Sequence, residues 1–217
     1  MIASWYFAPI LCTNPCGEQG LPAWGVCNLG ALNLAKFVTT DGPDGPAIDY
    51  KALKQTVHTA VRFLDNTIDM CRFPLPEIDA MVKGNRKIGL GVMGFADLLF
   101  RLDVAYDSDE ALTIADRIGE VLRKSGWDAS EQLARARGNF LAWKGSIWET
   151  QNGARRMRNA HVLTIAPTGT ISIIAGCSSG IEPVFSLAFT RQVLGGKQLL
   201  EVNPVFAAAL REQVMDE

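Results

Sequence analysis

The chain has 217 residues, of which 48% are hydrophobic and 20% charged, and its formal net charge is −2. This composition is that of a globular protein with its own core, and it excludes a strongly basic nucleic-acid-binding surface. No apolar run reaches the roughly 18 residues of a transmembrane helix, and the apolar start lacks the basic region and cleavage site of a signal peptide. The five cysteines are odd in number and irregularly spaced, so we expect a reducing compartment, the cytoplasm, rather than a secreted disulfide scaffold.

The first half of the chain predicts a loop, a helix and a glycine-rich segment, in that order. Residues 13–34 contain a turn-rich loop and then an apolar run, and residues 39–49 predict a surface loop. Apolar residues recur at three- and four-residue steps over 53–68, which predicts an amphipathic helix that the prolines of "FPLPE" stop. "RKIGLGVMG" is glycine-rich, and "FADLLFRL" after it predicts a further helix.

The second half predicts a long helix, two strands and a terminal helix. Asp107 and Glu110 predict a capping box that opens a helix of about residues 109–136. "HVLTIAP" is typical of a short buried strand, "TGTIS" of a loop before a short helix, and "VFSLAFTRQV" of another strand. Asn203 and Pro204 fit the N-cap and first position of a C-terminal helix. Strands that alternate with helices indicate α/β architecture.

The segment "TNPCGEQ" places an amide, a thiol and a carboxylate on alternate positions, at Asn14, Cys16 and Glu18. Alternate residues of an extended segment point to the same side. Pro15 disfavours helix at Asn14, and Gly17 lets the backbone bend. We therefore expect the three side chains to project together from an exposed loop.

The other cysteines and the histidines predict less chemistry. Cys27, eleven residues after Cys16, is either a core residue or a redox partner. No cysteine or histidine spacing completes a zinc site or an iron–sulfur site, so no metal centre is predicted. Four other residues are expected at structural positions: Cys71, Cys177, His58 and His161. No role is assigned to Cys12.

Two further motifs each allow two interpretations. "GLGVMG" spaces Gly89, Gly91 and Gly94 as a dinucleotide fingerprint, yet the preceding "KGNRK" is not the buried strand after which such a fingerprint occurs. "APTGTIS" offers hydroxyls and consecutive backbone N–H groups directly after a predicted strand. This second motif is either a phosphate cradle or a plain strand-to-helix turn with Ser/Thr capping.

Together, "TNPCGEQ", "GVCNLGALNL", "RKIGLGVMGFADLL" and "APTGTISIIAGCSSGIEP" resemble the catalytic large subunit of ribonucleotide reductase, in order and approximate spacing. The resemblance runs from about residue 12 to the C-terminal end, with "LLEVNPVF" included. It implies part of a ten-stranded α/β barrel, whose central finger loop carries the catalytic cysteine. It also explains "GLGVMG" as a barrel element that needs no nucleotide cofactor.

The resemblance implies a thiyl-radical mechanism and a role for each site residue. Cys16 would abstract the 3′-hydrogen of a ribonucleotide, Glu18 would act as general base on the 3′-hydroxyl, and Asn14 would hydrogen-bond the substrate hydroxyls. Cys27 would be one of two thiols that deliver reducing equivalents and become a disulfide. The substrate phosphates would be held by Pro167, Thr168, Gly169, Thr170 and Ile171.

The resemblance also implies an external radical source and an external reductant. "PTGTISIIAGCSSGIEP" is most similar to the adenosylcobalamin-dependent reductases, and Glu18 argues against the formate-using anaerobic type. The oxygen-dependent type, which takes its radical from a separate metal-containing subunit, is the alternative subclass. A thioredoxin-like dithiol would re-reduce the cysteines.

Chains of this family are several times longer, and the second reducing cysteine, expected upstream of Cys16, has no counterpart here. We therefore expect residues 1–217 to form a single domain, the C-terminal portion of the barrel, that works with a missing N-terminal half or as a homo-oligomer. Alone it should turn over poorly or not at all. Two alternatives are a nicotinamide-dependent oxidoreductase that uses the "GLGVMG" loop and a non-catalytic half-barrel that assembles with a partner chain.

Overall fold

The computed structural model describes residues 7–40, 45–192 and 195–215. They fall into two compact units. The first unit contains the described residues of Met1–Leu32, Tyr50–Gly91 and Asp116–Ala166; the second contains those of Asn33–Asp49, Val92–Ala115 and Pro167–Glu217.

Helices and short strands are mixed along the chain, as the predicted α/β class requires. The helices are α1 Tyr50–Met70, α2 Pro76–Asn85, α3 Phe95–Arg101, α4 Asp109–Arg137, α5 Ile147–Thr150, α6 Gly169–Ala175 and α7 Pro204–Met215. The strands are β1 Cys12–Thr13, β2 Gly20–Leu21, β3 Asn28–Asn33, β4 Val38–Thr39, β5 Ala47–Ile48, β6 Ile88–Met93, β7 Ala188–Gln192 and β8 Gln198–Val202.

The strands pair two by two: β1 with β2, β3 with β6, β4 with β5, and β7 with β8. Three of these pairs are antiparallel: β1–β2, β4–β5 and β7–β8. Within the described residues no sheet closes on itself, so the ten-stranded barrel stays a prediction.

Most predicted helices are confirmed, with corrections at their ends. The helix predicted over 53–68 is α1, the one predicted over 109–136 is α4, and "FADLLFRL" contains α3. Asn203 caps α7 as predicted, because its Oδ1 accepts from the N–H groups of Val205 and Phe206 at 2.9 and 3.0 Å. The predicted cap of α4 is wrong: Ser108, not Asp107, accepts from the N–H of Ala111 at 3.1 Å.

Three segments differ from the prediction. The sequence analysis missed α2, which begins at a proline of "FPLPE" and therefore has the residue type favoured at a helix start. "TGTIS" is not a loop before a helix, since α6 begins at Gly169 inside it. "HVLTIAP" forms a single parallel bridge, Leu90 with Leu163, rather than a full strand.

Apolar residues of α1 form the centre of the first unit. Leu53, Val57, Val61 and Ile68 are fully buried, at the helical spacing that the sequence shows. Strand β3 lies against this helix, where Asn28 Nδ2 donates to Thr67 Oγ1 at 2.8 Å. Strand β6 contributes two further buried side chains on alternate positions: Ile88 and Leu90.

A buried polar group, the Asp65 cluster, connects the elements of the first unit. The carboxylate of Asp65 is fully buried. Arg86 Nε and Asn159 Nδ2 donate to its Oδ1 at 2.9 and 3.0 Å. Arg137 and Arg158 donate to its Oδ2 at 3.3 and 3.4 Å. The Asp65 cluster therefore joins α1, the end of α2, the end of α4 and the segment that leads into residues 161–164.

The first two glycines of "GLGVMG" are required for close backbone packing. A Cβ atom at Gly91 would overlap the carbonyl oxygen of Thr164. A Cβ atom at Gly89 would lie 2.6 Å from Leu29 Cδ2 and 2.7 Å from Thr164 Cγ2. The Gly89–Gly91 face of β6 is thus covered by the chain itself.

The third glycine and Asp97 organise the second unit. Gly94 has a φ of +72° and is the residue before α3, and its N–H donates to the carbonyl of Ser178 at 2.8 Å. Asp97 is fully buried; its Oδ2 accepts from Ser178 N–H at 2.7 Å and its Oδ1 from Asn203 Nδ2 at 3.1 Å. These bonds hold the turn after α6 and the start of α7 against α3.

In the part of the chain that the structure describes, we find no helix long and apolar enough to cross a membrane.

We predict that Asp65→Asn lowers the free energy of unfolding by about 3 kcal/mol, because it removes the buried charge that pairs with Arg86 and leaves that guanidinium with the more exposed Asp69 as its counter-charge. Chemical denaturation of the chain measures this change. Asp79→Asn is the matched control, since Asp79 pairs with Lys83 at the surface and such pairs contribute about 1 kcal/mol or less. Equal effects of the two substitutions would contradict the assigned role of the Asp65 cluster.

We predict that Gly91→Ala destabilises the chain by about 1–3 kcal/mol, because the added methyl group must displace the Thr164 backbone. Gly119→Ala is the control: Gly119 lies in α4, and a methyl group added there would have no neighbouring atom within 4 Å. Alanine at this position should therefore stabilise the helix by up to about 1 kcal/mol. Thermal denaturation of both variants tests the prediction, and a Gly91→Ala variant as stable as the parent would refute it.

Candidate functional site

The segment "TNPCGEQ" forms the tip of a β-hairpin. Strands β1 and β2 pair through Cys12 with Leu21 and Thr13 with Gly20. The pairing continues to Asn14 and Gln19, where the Asn14 N–H donates to the Gln19 carbonyl at 3.1 Å and the Gln19 N–H donates to Asn14 Oδ1 at 3.0 Å. Residues 15–18 are left to turn the chain, with Gly17 at a φ of +82°. The alternating polar residues therefore lie on one tight turn.

The side chains at the tip differ in exposure in a way that suits their chemistry. Cys16 is exposed, and Asn14 and Glu18 are half-buried. Glu18 Oε2 is itself buried and accepts no hydrogen bond from any residue that the structure describes. A buried carboxylate oxygen without a donor is costly, so this atom is available to a hydroxyl group brought by a ligand.

One flank of the hairpin tip is fixed by residues that the sequence analysis did not identify. Thr164 Oγ1 donates to the Glu18 carbonyl at 3.0 Å. Gln19 is only 3% exposed, and its Nε2 would lie 3.2 Å from a Cβ atom at Gly89. Gln19 adjoins the motif in sequence, but Thr164 is 146 residues from Glu18, so no local pattern reveals it. The tip is thus held against β6 and the 161–164 segment.

Cys27 lies in the same unit, in a buried environment with one nearby cation. Burial raises the pKa of the Cys27 thiol to about 12, with the Glu18 carboxylate adding to the rise and Lys87 opposing it. Lys87 Nζ donates to the Gly20 carbonyl at 3.0 Å, and burial lowers the pKa of this ammonium. Lys87 is a further residue that sequence reasoning missed, because nothing in "KGNRK" distinguishes it from a surface lysine.

His161 is not suited to proton transfer near neutral pH. Burial, together with the neighbouring Lys87 charge, lowers the pKa of its imidazole to about 4. Its backbone carbonyl accepts from the Ile88 N–H at 3.0 Å. A structural position therefore fits His161, as the sequence predicts.

The predicted phosphate segment lies in the second unit. Thr168 is buried with a φ of +59°, and its Oγ1 accepts from the Gly180 N–H at 2.8 Å. The other four residues of the segment are exposed: Pro167, Gly169, Thr170 and Ile171. Thr168 therefore shapes the turn, and the residues around it face outward.

A cavity of about 370 Å³ begins beside this segment in the second unit. Its lining includes Gly169 and Ser172 of α6, the turn with Cys177 to Ser179, and Glu182. Ser172 Oγ and Ser179 Oγ lie 3.0 Å apart and close its inner wall. Burial, with Asp97 nearby, raises the pKa of Cys177 to about 11, so this thiol stays protonated.

The structure does not support a dinucleotide site at "GLGVMG". In a dinucleotide fingerprint, the glycines make room for a pyrophosphate. Here Thr164, Leu29 and Gln19 occupy that space. Gly94 has its own structural role at the start of α3. The nicotinamide alternative is therefore not favoured.

Among the residues that the structure describes, no group of three His, Cys, Asp or Glu side chains is placed to hold a metal ion.

Comparison with known proteins agrees with the sequence resemblance. A sequence profile described as "Ribonucleotide reductase, barrel domain" matches residues 4–156 and 148–217. The chain is 53% identical to a vitamin B12-dependent ribonucleoside-diphosphate reductase of Thermoplasma acidophilum, over 92% of the chain and 25% of that protein. It is 46% identical to the protein of that name in Mycobacterium tuberculosis, over 93% of the chain and 28% of the relative.

A more distant relative is ribonucleoside-diphosphate reductase subunit alpha of Chlamydia pneumoniae, 32% identical over 87% of the chain and 21% of that protein. The chain spans about a quarter of the length of the curated relatives that it matches. On the matching profile and these identities, the chain belongs to the ribonucleotide reductase barrel-domain family.

Proposed function

We propose that this chain supplies part of the active site of an adenosylcobalamin-dependent ribonucleoside-diphosphate reductase. The observation that carries the proposal is the hairpin tip, where an exposed Cys16 thiol lies two residues from a Glu18 carboxylate with a buried, unpartnered oxygen. The names of the similar proteins from Thermoplasma acidophilum and Mycobacterium tuberculosis support the cobalamin type and the diphosphate substrate.

In the proposed reaction, each residue of the hairpin tip has one task. The Cys16 thiyl radical takes the hydrogen atom from C3′ of the ribose. Glu18 Oε2 accepts the proton of the 3′-hydroxyl, and the 2′-hydroxyl takes a proton from one of the two reducing thiols and leaves as water. Asn14 hydrogen-bonds the ribose hydroxyls, and the bond from Gln19 N–H to its Oδ1 fixes the orientation of the amide. The C3′ hydrogen returns from Cys16 at the end.

Cys27 supplies one of the two thiols that reduce C2′, in this proposal. The reduction leaves Cys27 in a disulfide with a cysteine from outside this chain, and a thioredoxin-like dithiol opens it again. The five free cysteines and this dithiol requirement support the cytoplasmic location expected from the sequence.

The residues at the tip fit the proposed cofactor. When bound, adenosylcobalamin supplies the radical that side chains cannot generate by themselves. Cys16 is the residue that would face it, because its thiol is exposed while its neighbours Glu18 and Gln19 are half-buried and buried. The finger loop of the ten-stranded barrel is, in this proposal, the β1–β2 hairpin.

The substrate phosphates are proposed to bind at Pro167, Thr168, Gly169, Thr170 and Ile171. The support is the motif resemblance together with the exposure of four of these five residues. The backbone N–H groups at the first helical positions also have no carbonyl partner within the helix. The single barrel domain expected over residues 1–217 is part of this proposal.

Assembly with further polypeptide is also proposed. Large apolar side chains of the second unit are exposed, with Ile174 at 80% and Phe185 at 93%. Exposed apolar groups of this size are typical of a surface that another chain segment covers. The missing N-terminal half fits this requirement, and a homo-oligomer or a non-catalytic half-barrel is the alternative.

We predict that the isolated chain forms no deoxynucleotide with adenosylcobalamin, ribonucleoside diphosphates and excess dithiothreitol. A chimera in which this chain replaces the matching segment of the Thermoplasma acidophilum relative should be active. Cys16→Ala should abolish product formation by the chimera, because no other group can take the C3′ hydrogen. Chromatographic assay of deoxynucleotides measures both.

Cys71→Ala is the matched control for that experiment, since Cys71 is an exposed thiol just after α1. Product from the chimera carrying Cys16→Ala would overturn the proposed function, and sustained product from the isolated chain would overturn the need for further polypeptide.

We predict that Thr170→Glu in the chimera weakens binding of a ribonucleoside diphosphate at least about tenfold, or about 1.4 kcal/mol. The added carboxylate repels the phosphates, yet it leaves the folded state intact, because acidic residues suit the first turn of a helix. Calorimetric titration measures the affinity. Thr113→Glu, near the start of α4, is the control, and an unchanged affinity in Thr170→Glu would contradict the phosphate assignment.

A further inference from the structure

Lys87 is a half-buried cation whose partner in the resting protein is a backbone carbonyl. Its Nζ donates to Gly20 O at 3.0 Å. Among the residues that the structure describes, no carboxylate lies within 4.0 Å of it. Removing an ammonium from water without a counter-ion is costly. A lysine held in this way is suited to an anion that forms only during the reaction.

The geometry of the two paired strands brings Lys87 towards Cys27. Cys27 is the residue before β3, and Lys87 is the residue before β6, and these two strands pair. Two residues further along each strand, a Cβ atom at Gly89 would lie 2.6 Å from Leu29 Cδ2. Since residues two apart in a strand share a face, Cys27 lies on the Leu29 face of β3 and Lys87 on the Gly89 face of β6, and the Lys87 charge acts on the Cys27 thiol.

Two charged groups, Lys87 and Glu18, act on the ionisation of the Cys27 thiol in opposite directions. Lys87 favours the Cys27 thiolate, and the Glu18 carboxylate disfavours it, while burial raises the pKa of the thiol to about 12. Lys87 also lies near His161, whose imidazole is neutral at ordinary pH because its pKa is about 4. Lys87 is therefore the cation that offsets the burial of Cys27.

We propose that Lys87 is a positioning residue for redox chemistry at Cys27: its ammonium stabilises the Cys27 thiolate. The part of this proposal that involves a disulfide rests on the proposed function. The electrostatic effect of Lys87 on the Cys27 thiolate does not depend on it. A thiolate of the external dithiol attacks the sulfur bonded to Cys27, and the disulfide bond breaks. The Cys27 sulfur leaves with the electron pair as thiolate and is then protonated. The second thiol of the dithiol, as thiolate, then displaces the outside cysteine from the mixed disulfide, so the dithiol closes to its own disulfide and is oxidised as the protein is reduced.

The test measures alkylation of Cys27 in the purified chain by iodoacetamide, because only the thiolate reacts. Mass spectrometry of the Cys27 peptide gives the rate at several pH values below the thiol pKa. Lys87→Met should slow this rate at least about threefold, the equivalent of half a pKa unit. Lys87→Gln, which keeps a donor for the Gly20 carbonyl, should slow it equally. Lys83→Met, the same change at an exposed lysine, should have no effect.

A second substitution distinguishes an effect of charge on Cys27 from a loss of packing that exposes the thiol. Glu18→Gln removes the opposing charge and should accelerate alkylation of Cys27, whereas the exposed Cys16 of the same sample reports general changes in accessibility. The proposal is overturned if a Lys87 variant is folded, as judged by circular dichroism, and its Cys27 is alkylated at the same rate as in the parent chain. If one Lys87 variant does not fold, the other decides. No turnover is needed, so a failure of the reductase assay leaves this test intact.

Discussion

The first unit depends on the fully buried carboxylate of Asp65 and the cations that surround it. A lone buried carboxylate is unstable, so the fold must bring donors to it from several elements. Arg86 comes from the end of α2, where its φ of +48° is unusual for a side chain of that size. Asn159 links the carboxylate to the Arg86 carbonyl at 3.1 Å and to Ser130 of α4 at 2.9 Å. This arrangement fixes the two points from which β6 and the 161–164 segment begin.

The position of the hairpin tip depends on those two points. β6 and the 161–164 segment come so close that side chains are excluded at Gly89 and Gly91. Thr164 then reaches the Glu18 carbonyl, and Gln19 fills the space over Gly89. A glycine pattern that resembles a nucleotide fingerprint thus serves to hold the hairpin tip on a rigid support. Such support would suit the radical chemistry proposed for Cys16, because that thiol would have to stay in one place relative to the ribose.

The charges near the tip are arranged for different tasks. Glu18 has a buried oxygen that no described residue donates to, which suits the general-base role proposed for it, in which its hydroxyl partner arrives with the substrate. Its negative charge disfavours ionisation of Cys27, and Lys87 acts in the opposite direction. In the proposed reaction, the Cys27 thiol would therefore stay protonated until it reacts, and the Lys87 cation would stabilise the thiolate when it forms.

The sequence by itself determined the α/β class, α1, α3, α4 and the Asn203 cap, because each results from periodicity or capping over a few residues. Its separate motifs also determined the family, which the profile match shows. Only the tertiary structure decided that Thr164 anchors the tip, that Gln19 lies under it and that Lys87 neighbours Cys27. These contacts join residues that are far apart in the chain: Thr164 and Glu18 are separated by 146 positions. The packing of whole elements brings such residues together, so no local sequence pattern predicts the contacts.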